Sequence, residues 1–380
     1  MELPALDDKT EKKKGPLPAP APKDERVGFA IVGLGHLSLE QILPAFAQSK
    51  YARPVALVSG HRDKALKVAK QYGIEEKAVY SYQSFDSIRD NPDIEAVYIV
   101  LPNSMHEEYT VRAAKAGKHV LCEKPMANTS AEAQRMVDAC KAAGKKLMVA
   151  YRIQYEPMNR QIKKWLRSEQ YGRVRLIDMI NSQNIGDPEQ FRLKKALAGG
   201  GSLPDIGLYC LNTARYITGE EPAQVFGHVY STPGDPRFTE VEETVLFQLQ
   251  FPSGTLANCS TSYGVHESRR YRCYADKGGW FGMDPAFSYG GLKMELSHVQ
   301  DNMEIRSNPF MEAKNQFAPE LDHMARCIRE NRQPYTPGEE GVQDMKIMEA
   351  IYQSAKEGRW VQLPAQKGKD IFRGEEPKAD

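Results

Sequence analysis

No stretch of the chain stays apolar for the roughly eighteen residues that a membrane span needs. The opening MELPALDDKTEKKKGPLPAPAPKDER also lacks the apolar core of a secretory signal. No membrane partner is expected, and the location expected is cytoplasmic, with a periplasmic one as the alternative if a leader has been removed. Charge of one sign is missing too. Fifty-one Lys and Arg against 50 Asp and Glu leave a net charge of +1, and no basic block tracks an aromatic stripe, so nucleic acid is not an expected partner. The six cysteines (Cys122, Cys140, Cys210, Cys259, Cys273 and Cys327) form no CxxC pair, and no histidine cluster has metal spacing. Each lies in an apolar or periodic segment, the setting of a buried free thiol, and no metal is expected.

What is present is the composition of a soluble globular chain, 41% hydrophobic and 27% charged over 380 residues, long enough for two domains. Residues 1–26 hold Pro16, Pro18, Pro20 and Pro22 after a charged run and read as an extended arm. A nucleotide-binding domain is expected over 27–151, a second α+β domain over 152–364, and a charged, disordered tail over 365–380.

From Val27 to Val32 an apolar run enters Gly33-Leu34-Gly35-His36-Leu37-Ser38, and helical spacing follows. This is the strand, turn and helix of a dinucleotide fold, in which Gly33 permits the turn and Gly35 admits a pyrophosphate at the helix start. Serine stands where the third glycine is usual. About twenty residues on, where NAD-binding proteins place an acidic residue, the second strand ends in Ser59-Gly60-His61-Arg62-Asp63-Lys64. A hydroxyl followed by Arg62 and Lys64 suits a 2′-phosphate, so NADP is the expected cofactor. Further strands near 79–80, 96–101, 119–122 and 146–151 alternate with helices, giving a doubly wound parallel sheet. Ser104 is placed to cap the helix that His106 begins, and Thr129 or Ser130 the next. Beyond Tyr151 the period changes to two. Strands at 174–182, 223–230, 244–251, 256–263, 270–275 and 292–296 predict an open antiparallel sheet, with helices at 158–168, 315–331 and 340–356. That sheet is too broad for its helices to cover, which predicts a homodimer or homotetramer.

Two stretches carry chemistry. The strand Lys118 to Cys122 stops at Glu123-Lys124-Pro125, because proline cannot continue a ladder, and the carboxyl ends of parallel strands are where ligands bind. The second is Gly199-Gly200-Gly201-Ser202-Leu203-Pro204-Asp205-Ile206-Gly207-Leu208-Tyr209, which puts Asp205 and Tyr209 four residues apart on one helical face behind a glycine-rich entry. A carboxylate in a first helical turn also has a plain electrostatic role at the positive end of the dipole.

Together with the glycine turn, these stretches resemble the Gfo/Idh/MocA oxidoreductases, most of all their glucose-fructose oxidoreductase and aldose-aldose oxidoreductase branch, over about residues 16–364. The resemblance implies a Rossmann domain holding a tightly bound NADP. It implies also that one sugar is oxidised at C1 to its lactone and a second is reduced to an alditol on the same cofactor. It implies that Tyr82, Leu101, Pro102, Asn103, His106, Glu123, Lys124, Arg152 and Arg192 join Gly33 to Leu37, Ser59, Gly60, Arg62 and Lys64 around the nucleotide. His106 would act there as an edge or capping residue. Lys124, Arg152, Tyr155, Asp205 and Tyr209 would surround the sugar, with Lys124, Asp205 and Tyr209 catalytic. A phenol, with its ordinary pKa of about 10, is a poor base at neutral pH. Lys124 is the cation expected to favour its phenolate. An NADP-linked aldose dehydrogenase with exchangeable cofactor and a non-catalytic NADP sensor are the other readings, and a sensor has no need of these three side chains.

Overall fold

The structure is a computed structural model, and it describes residues 21–22 and 25–377. The proline-rich arm expected over 1–26 therefore falls almost wholly outside the described residues.

Six short apolar runs form the first sheet: β1 (Val27–Val32), β2 (Ala52–Val58), β3 (Val79–Tyr80), β4 (Ala96–Ile99), β5 (His119–Cys122) and β6 (Leu147–Val149). Each pair is parallel and the spatial order is β3-β2-β1-β4-β5-β6. Every residue of β1 and β4 is buried, as strands covered on both faces by crossover helices must be. The order reverses between β1 and β4, which opens a crevice at their carboxyl ends. Helices α1 (Arg62–Tyr72), α2 (His106–Lys115) and α3 (Ser130–Ala142) make crossovers. Thr129 caps α3 in a reciprocal box with Glu132. Ser104 does not cap α2. It lies inside the tight turn Asn103–Met105, and the residue at the helix start, Met105, has no side chain able to do so.

The second sheet has nine strands: β7 (Val174–Asn184), β8 (Gln224–Tyr230), β9 (Thr244–Gln250), β10 (Leu256–Ser262), β11 (Gly264–Ala275), β12 (Trp280–Met283), β13 (Met294–Gln300), β14 (Met303–Ser307) and β15 (Val361–Gln362), in the order β14-β13-β12-β11-β7-β10-β9-β8-β15. It is antiparallel except at its centre, where β7 and β10 run parallel. On one face lie α4 (Pro157–Ser168), α5 (Leu208–Thr218) and α7 (Gly338–Glu357), while α6 (Phe317–Arg329) reaches back to the first sheet. There Asp322 accepts hydrogen bonds from Ser49 and from the backbone of Lys50 and Tyr51. The opposite face is open: Leu176, Leu256 and Tyr274 are cross-strand neighbours and all exposed. All six cysteines are buried free thiols, and no helix among the described residues is long and apolar enough to cross a membrane.

The charged tail, expected to be disordered, packs against the second domain over its described residues. Arg373 is buried to its guanidinium, which donates to Glu340 at 2.8 Å and to Asp370 at 3.1 Å. Glu340 also accepts from Gln154 and Asn212, so the tail closes an ionic cluster beneath the site-bearing elements. Arg373→Ala leaves a buried carboxylate without its cation, and a loss of about 3–5 kcal/mol in a denaturant titration is expected.

Candidate active site

A single cavity of about 620 Å³ runs from the β1–β4 crevice to the second sheet. At its first end is the glycine turn. Gly33 has φ +98°, and a Cβ there would lie 2.3 Å from the Val100 carbonyl oxygen, so no other residue fits. A Cβ on Gly35 would meet nothing within 4 Å, which leaves the cradle free for a ligand. Ser38 replaces the third glycine usefully: its buried hydroxyl donates to the Gly33 carbonyl at 2.6 Å and closes the turn. Leu34, His36 and Leu37 complete this wall.

The β2 end contributes Ser59, Gly60 and His61, faced by Tyr82. Ser59 Oγ accepts the His61 backbone N–H at 3.1 Å, which leaves its own proton to donate. Arg62 turns outward to Glu76 at 2.8 Å, and Lys64 donates to the Leu34 carbonyl at 2.5 Å. Neither lines the cavity. Leu101, Pro102 and Asn103 do, with Asn103 tied to the Ala198 carbonyl at 2.8 Å. His106 does not: it is buried, with its ring nitrogens each 2.9 Å from a carbonyl oxygen, of Pro125 and Leu101, so it ties two strand ends together. Tyr155 is likewise away from the cavity, bonded to Thr336 at 3.1 Å and packed against His323 and Tyr335.

At the other end the two domains meet. Lys124 Nζ donates to the Asp205 carbonyl at 2.8 Å and to its Oδ1 at 3.1 Å, and lies 4.6 Å from the centre of the Tyr209 ring. Asp205 Oδ2 accepts from Arg192 Nε at 3.1 Å and from Tyr263 at 2.6 Å. Burial alone would raise the Asp205 carboxyl, but Lys124, Arg192 and the Tyr263 hydroxyl outweigh it and hold it well below the usual carboxylate range. Burial alone would lower the Lys124 ammonium, but Tyr209, Asp205 and Glu123 around it raise it instead. Both groups stay charged near neutrality and neither carries a proton in or out. Of the glycines before Asp205, Gly200 lines the cavity and Gly201 serves packing. Gly201 lies against Glu242, whose carboxylate takes the Gly201 and Leu203 N–H groups at 2.8 and 3.0 Å. The helix start therefore has its own charge partner, and Asp205 is free for the site.

Lys124 lies over the Tyr209 ring, and a second cation, Arg152, makes the hydrogen bond to the tyrosine oxygen. Arg152 Nη2 donates to Tyr209 Oη at 3.2 Å, with the guanidinium between the Tyr209 and Tyr289 rings at 5.0 and 4.6 Å from their centres. It is fixed by the Phe287 carbonyl at 2.6 Å and by Gln316. Sequence reasoning did not single out His61, Asn181, Gln183, Arg269 and Tyr289, which line the cavity, nor Tyr263, which fixes Asp205. Tyr263 ends a strand of period two, and nothing in that pattern distinguishes it from a core tyrosine.

A glycine cradle open toward a cavity that ends in a charge-locked lysine and a tyrosine defines a two-domain, nucleotide-dependent oxidoreductase, and the residues fit a dinucleotide. The profile of the oxidoreductase family with NAD-binding Rossmann fold matches residues 27–151, and that of the GFO/IDH/MocA C-terminal domain matches 159–280. The chain belongs to the GFO/IDH/MocA oxidoreductase family. It is 33% identical over 346 residues to D-xylose 1-dehydrogenase [NADP(+)] of Haloarcula marismortui, covering 90% of this chain and 94% of that protein. It is 28% identical over 336 residues to D-xylose 1-dehydrogenase (NADP(+)) 2 of Haloferax volcanii, covering 88% and 99%. Among solved structures, aldose-aldose oxidoreductase from Caulobacter crescentus complexed with glycerol superposes with a TM-score of 0.85 at 47% identity, over 89% of this chain and all of that one (100%).

Proposed function

We propose that this chain is an NADP-dependent sugar oxidoreductase that retains its nucleotide, oxidises an aldose at C1 to the lactone and reduces a second sugar to the alditol. The observation that carries the reading is the meeting of Lys124, Asp205, Arg152 and Tyr209 at the far end of the cavity that begins at Gly33 and Gly35. The 47% identity to a two-sugar oxidoreductase supports the pairing of reactions. Bound there, the nicotinamide supplies the hydride acceptor and donor. Tyr209 Oη takes the C1 hydroxyl proton as the C–H bond gives up its hydride and the C=O bond of the lactone forms, and it returns a proton when the second sugar is reduced. Arg152 holds that oxygen through its hydrogen bond. Lys124, kept as an ammonium by Asp205, stabilises charge on the substrate oxygen. Gly33 to Leu37 and Glu123 would seat the nucleotide, with Ser59 and His61 at the 2′-phosphate. In the second domain, Asn181, Gln183 and Arg269 offer hydrogen bonds to sugar hydroxyls.

The test is a screen of aldoses and ketoses, singly and in pairs, with no nucleotide added. Lactone and alditol formed in equal amounts support the reading. Activity only with added NADP supports the second reading, an aldose dehydrogenase with exchangeable cofactor, which the names of the two xylose dehydrogenases favour. No turnover with any sugar points to a sensor.

Cofactor choice has its own test. Ser59→Asp places a carboxylate where the 2′-phosphate would sit, and NADP binding weaker by at least about tenfold is expected from the repulsion. Titration calorimetry on the stripped protein measures it, and unchanged affinity would remove Ser59 from the nucleotide site. The open sheet face, with Leu246, Tyr230 and Val299 beside Leu176, Leu256 and Tyr274, is the surface through which we propose that copies of the chain pair.

A further inference from the structure

Behind the Glu123-Lys124 turn lies a group that the chemistry above does not use. Tyr98, on β4, is fully buried, and its hydroxyl stands 2.8 Å from Glu123 Oε1 and 3.4 Å from Glu320 Oε2. Glu320, on α6, is itself 0% exposed. A phenol has one proton to give, so it satisfies only one of two carboxylates. The second contact is a hydrogen bond only if that carboxyl carries a proton of its own.

The geometry says which one does. Glu123 lines the cavity, and its Oε2 accepts the Lys124 backbone N–H at 3.1 Å in the residue next to the Lys124 ammonium. Glu320 makes no ion pair among the described residues, and its Oε1 has no hydrogen-bond partner there. The charged groups facing the pair are Lys124 and Arg152, and both are committed elsewhere: Lys124 to Asp205, Arg152 to Tyr209, Phe287 and Gln316. An uncompensated carboxylate at Glu320 is far costlier than a neutral acid. Burial pushes the Glu320 carboxyl well up, Glu123 beside it pushes the same way, and Arg152 and Tyr98 offset this only in part.

We propose that Glu320 is a positioning residue for the reaction: an uncharged carboxylic acid that donates to Tyr98, whose hydroxyl in turn holds Glu123 against the Lys124 turn. The chain of donors runs in one direction, from α6 through β4 to the end of β5, and fixes Glu123 and the backbone that carries Lys124. It also leaves one negative charge, not two, beneath the site. The kinetic role rests on the reading of Lys124 and Tyr209 as the reacting pair; the protonation of Glu320 does not.

Two measurements separate those layers. The parent minus Glu320→Gln difference infrared spectrum is expected to show the C=O stretch of one protonated carboxylic acid in the resting holoprotein at neutral pH. Its absence overturns the proposal whatever the substrate. In turnover, Glu320→Leu removes the donor and is expected to lower kcat by about three- to tenfold, the worth of one hydrogen bond, with little change in KM. Glu320→Gln, which keeps a neutral donor, is expected to restore kcat and leave the pH profile where the parent has it. A Glu320→Gln profile displaced along the pH axis means that an ionised group was lost and overturns the proposal, as does a Glu320→Leu enzyme equal to the parent. If Glu320→Leu does not fold, Tyr98→Phe breaks the same chain at its middle and is expected to show the same loss; parent-like kcat in that variant overturns it equally.

Discussion

Tyr209→Phe is expected to lower kcat by about 10²- to 10⁴-fold, the usual worth of a positioned acid/base. Tyr209 is the group proposed to move the proton, because its two charged neighbours are fixed: Asp205 is held as a carboxylate by Lys124, Arg192 and Tyr263, and Lys124 is held as an ammonium by Tyr209, Asp205 and Glu123. The ring itself packs against Phe287, 5.9 Å between centres, under the Lys124 and Arg152 cations, and the substitution keeps the ring. Nucleotide content after gel filtration is therefore expected to match the parent, because the glycine turn and Ser59 lie at the other end of the cavity. Loss of nucleotide together with activity would mean that Tyr209 holds the cofactor rather than the proton.

Lys124→Ala is the second large effect, expected at about 10²- to 10³-fold in kcat, the range for removing one preorganised electrostatic contact from a reacting oxygen. Two things happen at once in this variant. The substrate oxygen loses its cation, and Asp205 loses one of its three side-chain partners while keeping Arg192 and Tyr263. The loss is expected in kcat; a loss confined to KM would restrict Lys124 to substrate binding. Arg152, whose Nη2 touches Tyr209 Oη, then remains as the cation on the phenol oxygen.

Much of this arrangement can be read from the chain because its causes are local. The apolar runs of β1 and β4, the punctuation by Gly33 and Pro125, and the Thr129 cap are decided within a few residues. The period-two pattern of β9 and β10 reports a half-buried sheet. The same pattern does not say which way a strand's neighbour runs, so the parallel pairing of β7 with β10 was invisible. Strands β12, β14 and β15 are short, and they exist as strands because longer neighbours hold them. Arg373 reads as disordered in a tail of Lys, Glu and Asp; Glu340, thirty-three residues earlier, buries it. Long-range partners also decide the site. The sequence named Lys124 as the cation for Tyr209 because the motif containing it is recognisable. Arg152 joins it there, fixed by Phe287 and Gln316, each more than a hundred positions away. Arg62 looked suited to a phosphate; in the structure it pairs at the surface with Glu76.

The central claim is that Lys124, Asp205, Arg152 and Tyr209 act as one unit where the two domains meet. A double-mutant cycle on kcat with Lys124→Ala, Tyr209→Phe and the double variant, each with its nucleotide content verified, tests it most directly. The account predicts that the double variant loses little more than the worse single variant, because residues that act as a unit are strongly non-additive. A double loss equal to the product of the two single losses would contradict it.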